Sequence, residues 1–196
     1  MSIILASGSF IRRKLMEDAG IDFEVVTKPV DEAAIKDAML AERSRLQDIA
    51  DALAEAKSLR VSRTHPGLVI GADQIMVMDD QLFDKPKDMD DARQRLKLMR
   101  GKTHYLIGAV VISENGHPVW RHLAKTKLTM REFSDDFLED YLKAEGELVT
   151  KSVGAYRFEG LGAQLFSHVE GDFFSILGLS LLPVMDYLRT RGALPS

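Results

Sequence analysis

The sequence predicts an α/β protein with a mixed β-sheet, and two observations carry that expectation. Short apolar runs at 3–6 and 68–72 read as strands buried on both faces, and helical segments alternate with them. Two longer runs, 103–112 and 119–130, are joined through Glu114-Asn115-Gly116, the signature of an antiparallel hairpin.

The elements follow in order. The strand at 3–6 passes through Ser7-Gly8-Ser9 into a helix over 10–19, with Ser9 as its N-cap and Gly20 as its stop. A second strand is expected at 23–26. Asp31 then opens a long helical region over 31–62, where Leu46, Ile49, Ala50, Leu53, Ala54 and Leu59 recur at helical spacing. Pro66-Gly67 ends it. The strand at 68–72 stops in small residues, which puts Asp73 just beyond a strand end at the edge of the sheet. Asp79-Asp80-Gln81 is a turn, 84–88 a polar loop, and 89–99 a helix halted near Gly101. Beyond the hairpin, Ser134 caps a helix reaching about residue 144, residues 151–178 form a glycine-rich loop, and 179–191 is the closing helix. No repeat, low-complexity tract or linker interrupts the chain, so 1–196 is read as a single domain.

Composition narrows the function. Of 196 residues, 45% are hydrophobic and 29% charged, enough for a packed core. The net charge of −4 argues against a nucleic-acid backbone as partner and favours a small ligand handled by a few local cations. The absence of cysteine excludes disulfides and thiolate metal sites. The first residues lack a basic stretch ahead of their apolar run, and no run reaches membrane-spanning length. A cytoplasmic protein without a membrane partner is expected.

Four stretches carry chemistry. Ser7-Gly8-Ser9 ahead of a helix exposes backbone N–H groups and two hydroxyls to an anion, and Arg12 offers a guanidinium fork. Arg13 faces Glu17 one turn on and reads as its surface partner. Asp73, after Gly71-Ala72 and before Gln74, is placed to hold a metal or activate water. Lys85, stiffened by Pro86, can neutralise a phosphate as a point charge. The dense glycines around Gly154–Ala163 and the aromatics of Glu170-Gly171-Asp172-Phe173-Phe174 permit close backbone approach and stacking on a base. The five histidines show no ligand spacing and are read as structural.

In order, these pieces resemble the Maf family of nucleoside triphosphate pyrophosphatases over nearly the whole chain. The matching residues are Leu5-Ala6-Ser7-Gly8-Ser9 with Arg12, Val30-Asp31-Glu32, Lys57, Gly71-Ala72-Asp73, Lys85-Pro86, Gly101, Gly154-Ala155, Glu159-Gly160, Gly171-Asp172 and Gly178-Leu179. The resemblance implies an elongated mixed sheet with flanking helices, related to the inosine-triphosphatase architecture, with a cleft between two lobes. It implies hydrolysis of a nucleoside triphosphate between the α- and β-phosphates, with Mg²⁺ or Mn²⁺ as cofactor. Asp73 and Lys85 would be catalytic, and Asp73 the general base. Ser7, Arg12, Lys57, Gln74 and Glu159 would bind substrate, with Glu32 and Asp73 holding the metal. Two positions depart from the family pattern: Phe10 stands where proline is usual, and Ile11 matches neither the arginine of the dTTP/UTP branch nor the tryptophan of the 7-methyl-GTP branch. Gln74 and Glu159 resemble the 7-methyl-GTP branch, which makes that nucleotide the expected substrate and dTTP or UTP the alternative. A competing class is a nucleotide-binding regulator of cell division without catalysis. The chain could also pair as a homodimer.

Overall fold

The computed structural model describes residues 1–195. Among them the chain forms one seven-stranded sheet in the order β2-β1-β3-β5-β6-β7, with β4 hydrogen-bonded to β3 outside that path. Parallel and antiparallel pairs coexist, so the mixed α/β class expected from the sequence is what the chain adopts. The chain divides into two compact units. The first takes Met1–Gln74, Ile107–Ala124 and the segment from Asp172 onward; the second takes Ile75–Leu106 and Lys125–Gly171.

In the first unit, β1 (Ile3–Leu5) runs parallel to β2 (Glu24–Val25) and to β3 (Leu68–Met78), with Ile3 opposite Leu68 and Leu5 opposite Ile70. All three β1 residues are buried, as a strand flanked on both edges requires. Ser9 caps α1 (Phe10–Asp18) by accepting from the Arg12 N–H, and Gly20 ends that helix at φ +67°.

The long helix expected over 31–62 is two helices, α2 (Glu32–Ala41) and α3 (Leu46–Ser62). Arg43 turns into the left-handed region at φ 55°, and the Ser44 N–H closes the turn on Met39 O at 2.9 Å. The break falls where burial gives out. α2 buries no residue, Glu42 to Arg45 are all polar, and the core-facing stripe starts at Ile49. With no apolar face to satisfy there, nothing holds the axis straight.

A second correction concerns Asp73. The strand expected to stop at residue 72 continues to Met78, because Ile75, Met76, Val77 and Met78 are buried and pair with β4 (Gln81–Phe83). Asp79 and Asp80, both at positive φ, form the two-residue turn between them. Asp73 therefore sits in the middle of β3, a strand with neighbours on both sides, and not at the sheet edge.

α3 lies unusually close to β3. A Cβ on Gly71 would stand 2.2 Å from Ala54 O and 2.7 Å from Ser58 N, so only glycine lets the helix backbone approach. The hairpin between β5 (Thr103–Glu114) and β6 (His117–Met130) turns at Asn115 and Gly116, both left-handed, as the sequence expects.

In the second unit, α4 (Met89–Met99) and α5 (Asp135–Glu145) pack together over buried Ala92, Leu96, Leu138 and Leu142. The glycine-rich stretch is more ordered than a loop. It holds β7 (Phe166–Glu170), paired antiparallel with β6, and a one-turn α6 (Phe173–Ile176) that belongs to the first unit. The closing helix α7 spans Leu181–Thr190. No helix of the described residues is long and apolar enough to cross a membrane.

His104 is fully buried in an aromatic cluster with Tyr156 and Phe166, its Nε2 paired with the Tyr156 hydroxyl at 2.8 Å. Its Nδ1 has no partner among the described residues, and burial pushes its pKa down to about 4. Between that value and the ordinary value of about 6.5, the unfolded chain binds a proton that the folded chain refuses. His104 should thus remove about 3 kcal/mol of stability as pH falls from about 6.5 to 4, and nothing more below that. Urea unfolding at pH 7 and pH 4.5 should show a loss in the wild type that is largely absent in His104→Gln. Equal losses would place the acid sensitivity elsewhere.

Candidate active site

Residues gathered from α1, α2, α3 and β3 meet within the first unit. Gly71 and Asp73 lie two positions apart on β3 and share a face of the strand. Because α3 presses onto β3 at Gly71 between Ala54 and Ser58, Lys57 on the same helix turn is carried to Asp73. Its Nζ donates to Asp73 Oδ1 at 2.5 Å and lies 3.1 Å from Glu32 Oε1. Lys57 and Asp73 are largely enclosed, with side chains 16% and 11% exposed, while Glu32 is 53% exposed. Glu32 gets there because Asp31 caps α2, accepting the Ala34 N–H at 3.0 Å, and so fixes where the helix begins.

Beside this trio stands Arg12. Its Nε donates to Gly178 O at 2.7 Å, and its Nη1 to Ala72 O at 2.8 Å and to Ser7 Oγ at 3.2 Å. One guanidinium thus joins the turn after β1, the strand carrying Asp73 and the segment after α6. Burial pulls the Arg12 pKa down, and the charges of Asp73 and Glu32 oppose that; an arginine remains protonated regardless. Its Nη2 has no hydrogen bond among the described residues. Gly178, at φ +95°, would place a Cβ 3.4 Å from the guanidinium, so glycine keeps this contact close.

Gln74 adds a second tie to the same segment. Its Nε2 donates to Ser175 O at 2.8 Å and Ile176 O at 3.3 Å, the last carbonyls of α6. Inside that segment Asp172 caps α6, and the Ser175 and Ser180 hydroxyls pair at 2.8 Å. The bracing roles of Arg12 and Gln74 are additions to the sequence reading, which treats both as ligand groups. Nothing local to either residue points to carbonyls 100 or more positions away.

The structure brings Ser7, Arg12, Glu32, Lys57, Asp73 and Gln74 into one unit. Lys85 and Glu159 belong to the other. Lys85 is exposed, beside a buried Pro86. Glu159 is paired with Arg157, Nε to Oε1 at 3.1 Å. Arg13 and Glu17 pair on the surface at 3.5 Å, as the helical spacing predicts. No group of three or more His, Cys, Asp or Glu among the described residues is arranged to hold a metal by itself. The five histidines stay outside any such group, and His104 is a core residue.

Chemically, the arrangement offers a carboxylate with one oxygen engaged by an ammonium, next to a guanidinium with Nη2 unengaged and a turn carrying the Ser7 and Ser9 hydroxyls. Residues 2–191 match the family model described as Maf-like protein. The chain belongs to that family. A nucleoside triphosphate pyrophosphatase of Paramagnetospirillum magneticum is 54% identical over 192 residues, covering 97% of this chain and 99% of that protein. One from Rhodospirillum rubrum is 50% identical over 195 residues, 99% and 96% of the two chains. A third, from Hyphomonas neptunium, is 48% identical over 196 residues, 100% and 99%. The Maf match runs through every site residue described above.

The brace made by Arg12 predicts a stability difference within one helix. Arg12→Ala leaves two buried carbonyls without their donor and should cost about 2–4 kcal/mol. Arg13→Ala removes an exposed pair and should change stability by about 0.5 kcal/mol or less. Urea unfolding measures both, and hydrogen exchange should rise at residues 174–179 in Arg12→Ala alone. Equal stabilities would mean that the brace contributes little.

Proposed function

We propose that 7-methyl-GTP is the substrate of this nucleoside triphosphate pyrophosphatase, which cleaves it to 7-methyl-GMP and pyrophosphate in the cytoplasm. The observation that carries the chemistry is Asp73, enclosed in the middle of β3, with Oδ1 taken by Lys57 and Oδ2 without a hydrogen bond among the described residues. A carboxylate so fixed is suited to draw a proton from water. In the proposed reaction Oδ2 takes the proton while the water oxygen bonds to the α-phosphorus. The bond from that phosphorus to the bridging oxygen breaks, and pyrophosphate leaves with the electron pair. Arg12 through Nη2, Ser7 and Lys57 bind the triphosphate, and Lys85 neutralises charge on the departing pyrophosphate.

The donor set fits a divalent cation. Lys57 Nζ stands between the carboxylates of Asp73 and Glu32, a position already built for positive charge. Mg²⁺ or Mn²⁺ is bound by one or two carboxylates together with substrate phosphates, so two protein carboxylates suffice. Glu32 and Asp73 would hold it, and when bound it would supply charge neutralisation at the phosphates.

The base assignment rests on Glu159, with Gln74 in support of the same branch resemblance. Guanine presents two adjacent donors, N1–H and the 2-amino group, to a carboxylate. Thymine and uracil present one N–H flanked by carbonyl oxygens, which a carboxylate repels. A methyl group on N7 makes the ring cationic and strengthens the attraction.

Two measurements test this. Asp73→Asn should lower kcat for pyrophosphate release by about 10²–10⁴-fold with Mg²⁺ or Mn²⁺ present; turnover within a few-fold of wild type would remove Asp73 from the mechanism. Across 7-methyl-GTP, GTP, dTTP and UTP, kcat/KM should be highest for the first, and Glu159→Gln should shift the ranking toward the pyrimidines. A wild-type preference for dTTP or UTP would defeat the base assignment.

A further inference from the structure

We infer that Glu145 and Arg157 are positioning residues that set the base preference of Glu159, an inference that rests on the reading of Glu159 as the base-contacting carboxylate. Glu145 is the last residue of α5 and is 5% exposed. An acid there meets the negative end of the helix and loses its hydration, and both are unfavourable. A residue chosen for solubility would not be placed so.

Both of its oxygens are committed to one short segment. Oε2 accepts from Arg157 Nη1 at 2.9 Å, and Oε1 accepts from the Leu161 N–H at 3.2 Å. One turn earlier on the same face of α5, the Tyr141 hydroxyl accepts the Arg157 N–H at 3.3 Å. The segment is wrapped tightly enough to exclude side chains. A Cβ on Gly162 would lie 2.3 Å from Arg157 O, and one on Gly160 would lie 3.1 Å from Glu145 Oε1. Residues 157–162 are thereby clamped to the end of α5.

Arg157 passes that rigidity on. Its Nη1 is held by Glu145, and its Nε donates to Glu159 Oε1 at 3.1 Å. One oxygen of Glu159 is fixed, and Oε2 has no hydrogen-bond partner among the described residues. The side chain is 23% exposed, neither sealed nor loose. Two acids against one base leave a single uncompensated negative charge, which favours a base that is cationic or offers donors. Without Glu145, Arg157 would belong to Glu159 alone, and that charge would be cancelled.

The experiment measures kcat/KM for 7-methyl-GTP and for dTTP in the full-length enzyme carrying Glu145→Gln, Arg157→Lys, Glu159→Gln, or Glu145→Gln with Glu159→Gln. Glu145→Gln keeps an acceptor for the Leu161 N–H but loses the charge. Arg157→Lys keeps a cation at a partly exposed position but loses the planar fork that donates through Nη1 to Glu145 and through Nε to Glu159 at once. Each should lower the ratio of 7-methyl-GTP to dTTP about tenfold, the size of one charged hydrogen bond, chiefly through KM for 7-methyl-GTP. In the Glu159→Gln background, Glu145→Gln should lower the ratio no further. If Glu159→Gln lowers the ratio while Glu145→Gln and Arg157→Lys leave it unchanged, or reduce both substrates equally, the positioning role is overturned. If Glu159→Gln itself leaves the ratio unchanged, the base reading fails and this inference falls with it.

Discussion

The ammonium of Lys57, held between Asp73 and Glu32, is the interaction on which the first unit turns. Asp73 lies in the interior of β3, where an unpaired carboxylate would be left with little water and no counter-ion. Removing one partner of such a pair typically costs about 3–5 kcal/mol, so the strand tolerates Asp73 only because Lys57 is delivered to it. Delivery depends on a side chain that is missing. With any Cβ at Gly71, α3 would be pushed away from β3 and the ammonium withdrawn from the carboxylate. A packing constraint and an electrostatic one are thus satisfied by the same pair of elements.

That dependence explains what the sequence could and could not disclose. The alternation of strands and helices, the Asn115-Gly116 hairpin, and the caps at Ser9, Asp31 and Ser134 were legible because each is a local pattern. The length of β3 was not: residues 75–78 are apolar without helical or strand period, and pairing with β4 decides their state. The break between α2 and α3 was hidden because charged residues suit a helix surface and a turn equally well. Asp73 was visible as a carboxylate after small residues. Lys57 shares α3 with Arg60, and only its contact across the helix–strand interface sets it apart. The resemblance to the Maf family supplied what local chemistry could not.

The second unit handles buried polarity in two ways. His104 stays neutral in its aromatic surroundings, so burial costs it the ability to accept a proton. Glu145 is held instead by an arginine and a backbone N–H from the segment it organises. The first solution yields a packed core residue with one idle nitrogen. The second ties a helix end to a glycine-rich turn, which fixes geometry where the glycines alone would permit many conformations. Glycine density in this stretch therefore reflects close packing around Arg157 and Tyr156 more than mobility.

Charge balance links these features to the chemistry proposed for the site. Glu32 and Asp73 are matched by Lys57 and Arg12, so the gathered ionisable groups are close to neutral before a ligand arrives. Most of the Arg12 donors are already engaged by Ala72 O, Gly178 O and Ser7, which limits what it can give to a phosphate. A triphosphate brought to such a site has too few free protein cations to meet it. The deficit is what a divalent ion would fill, with Glu32 and Asp73 as the residues that would hold it. The same reasoning gives Lys57 a double task, holding Asp73 through one N–H while a further N–H is left for phosphate. A single flexible ammonium can do both, because its three donors are not fixed in a plane as those of a guanidinium are.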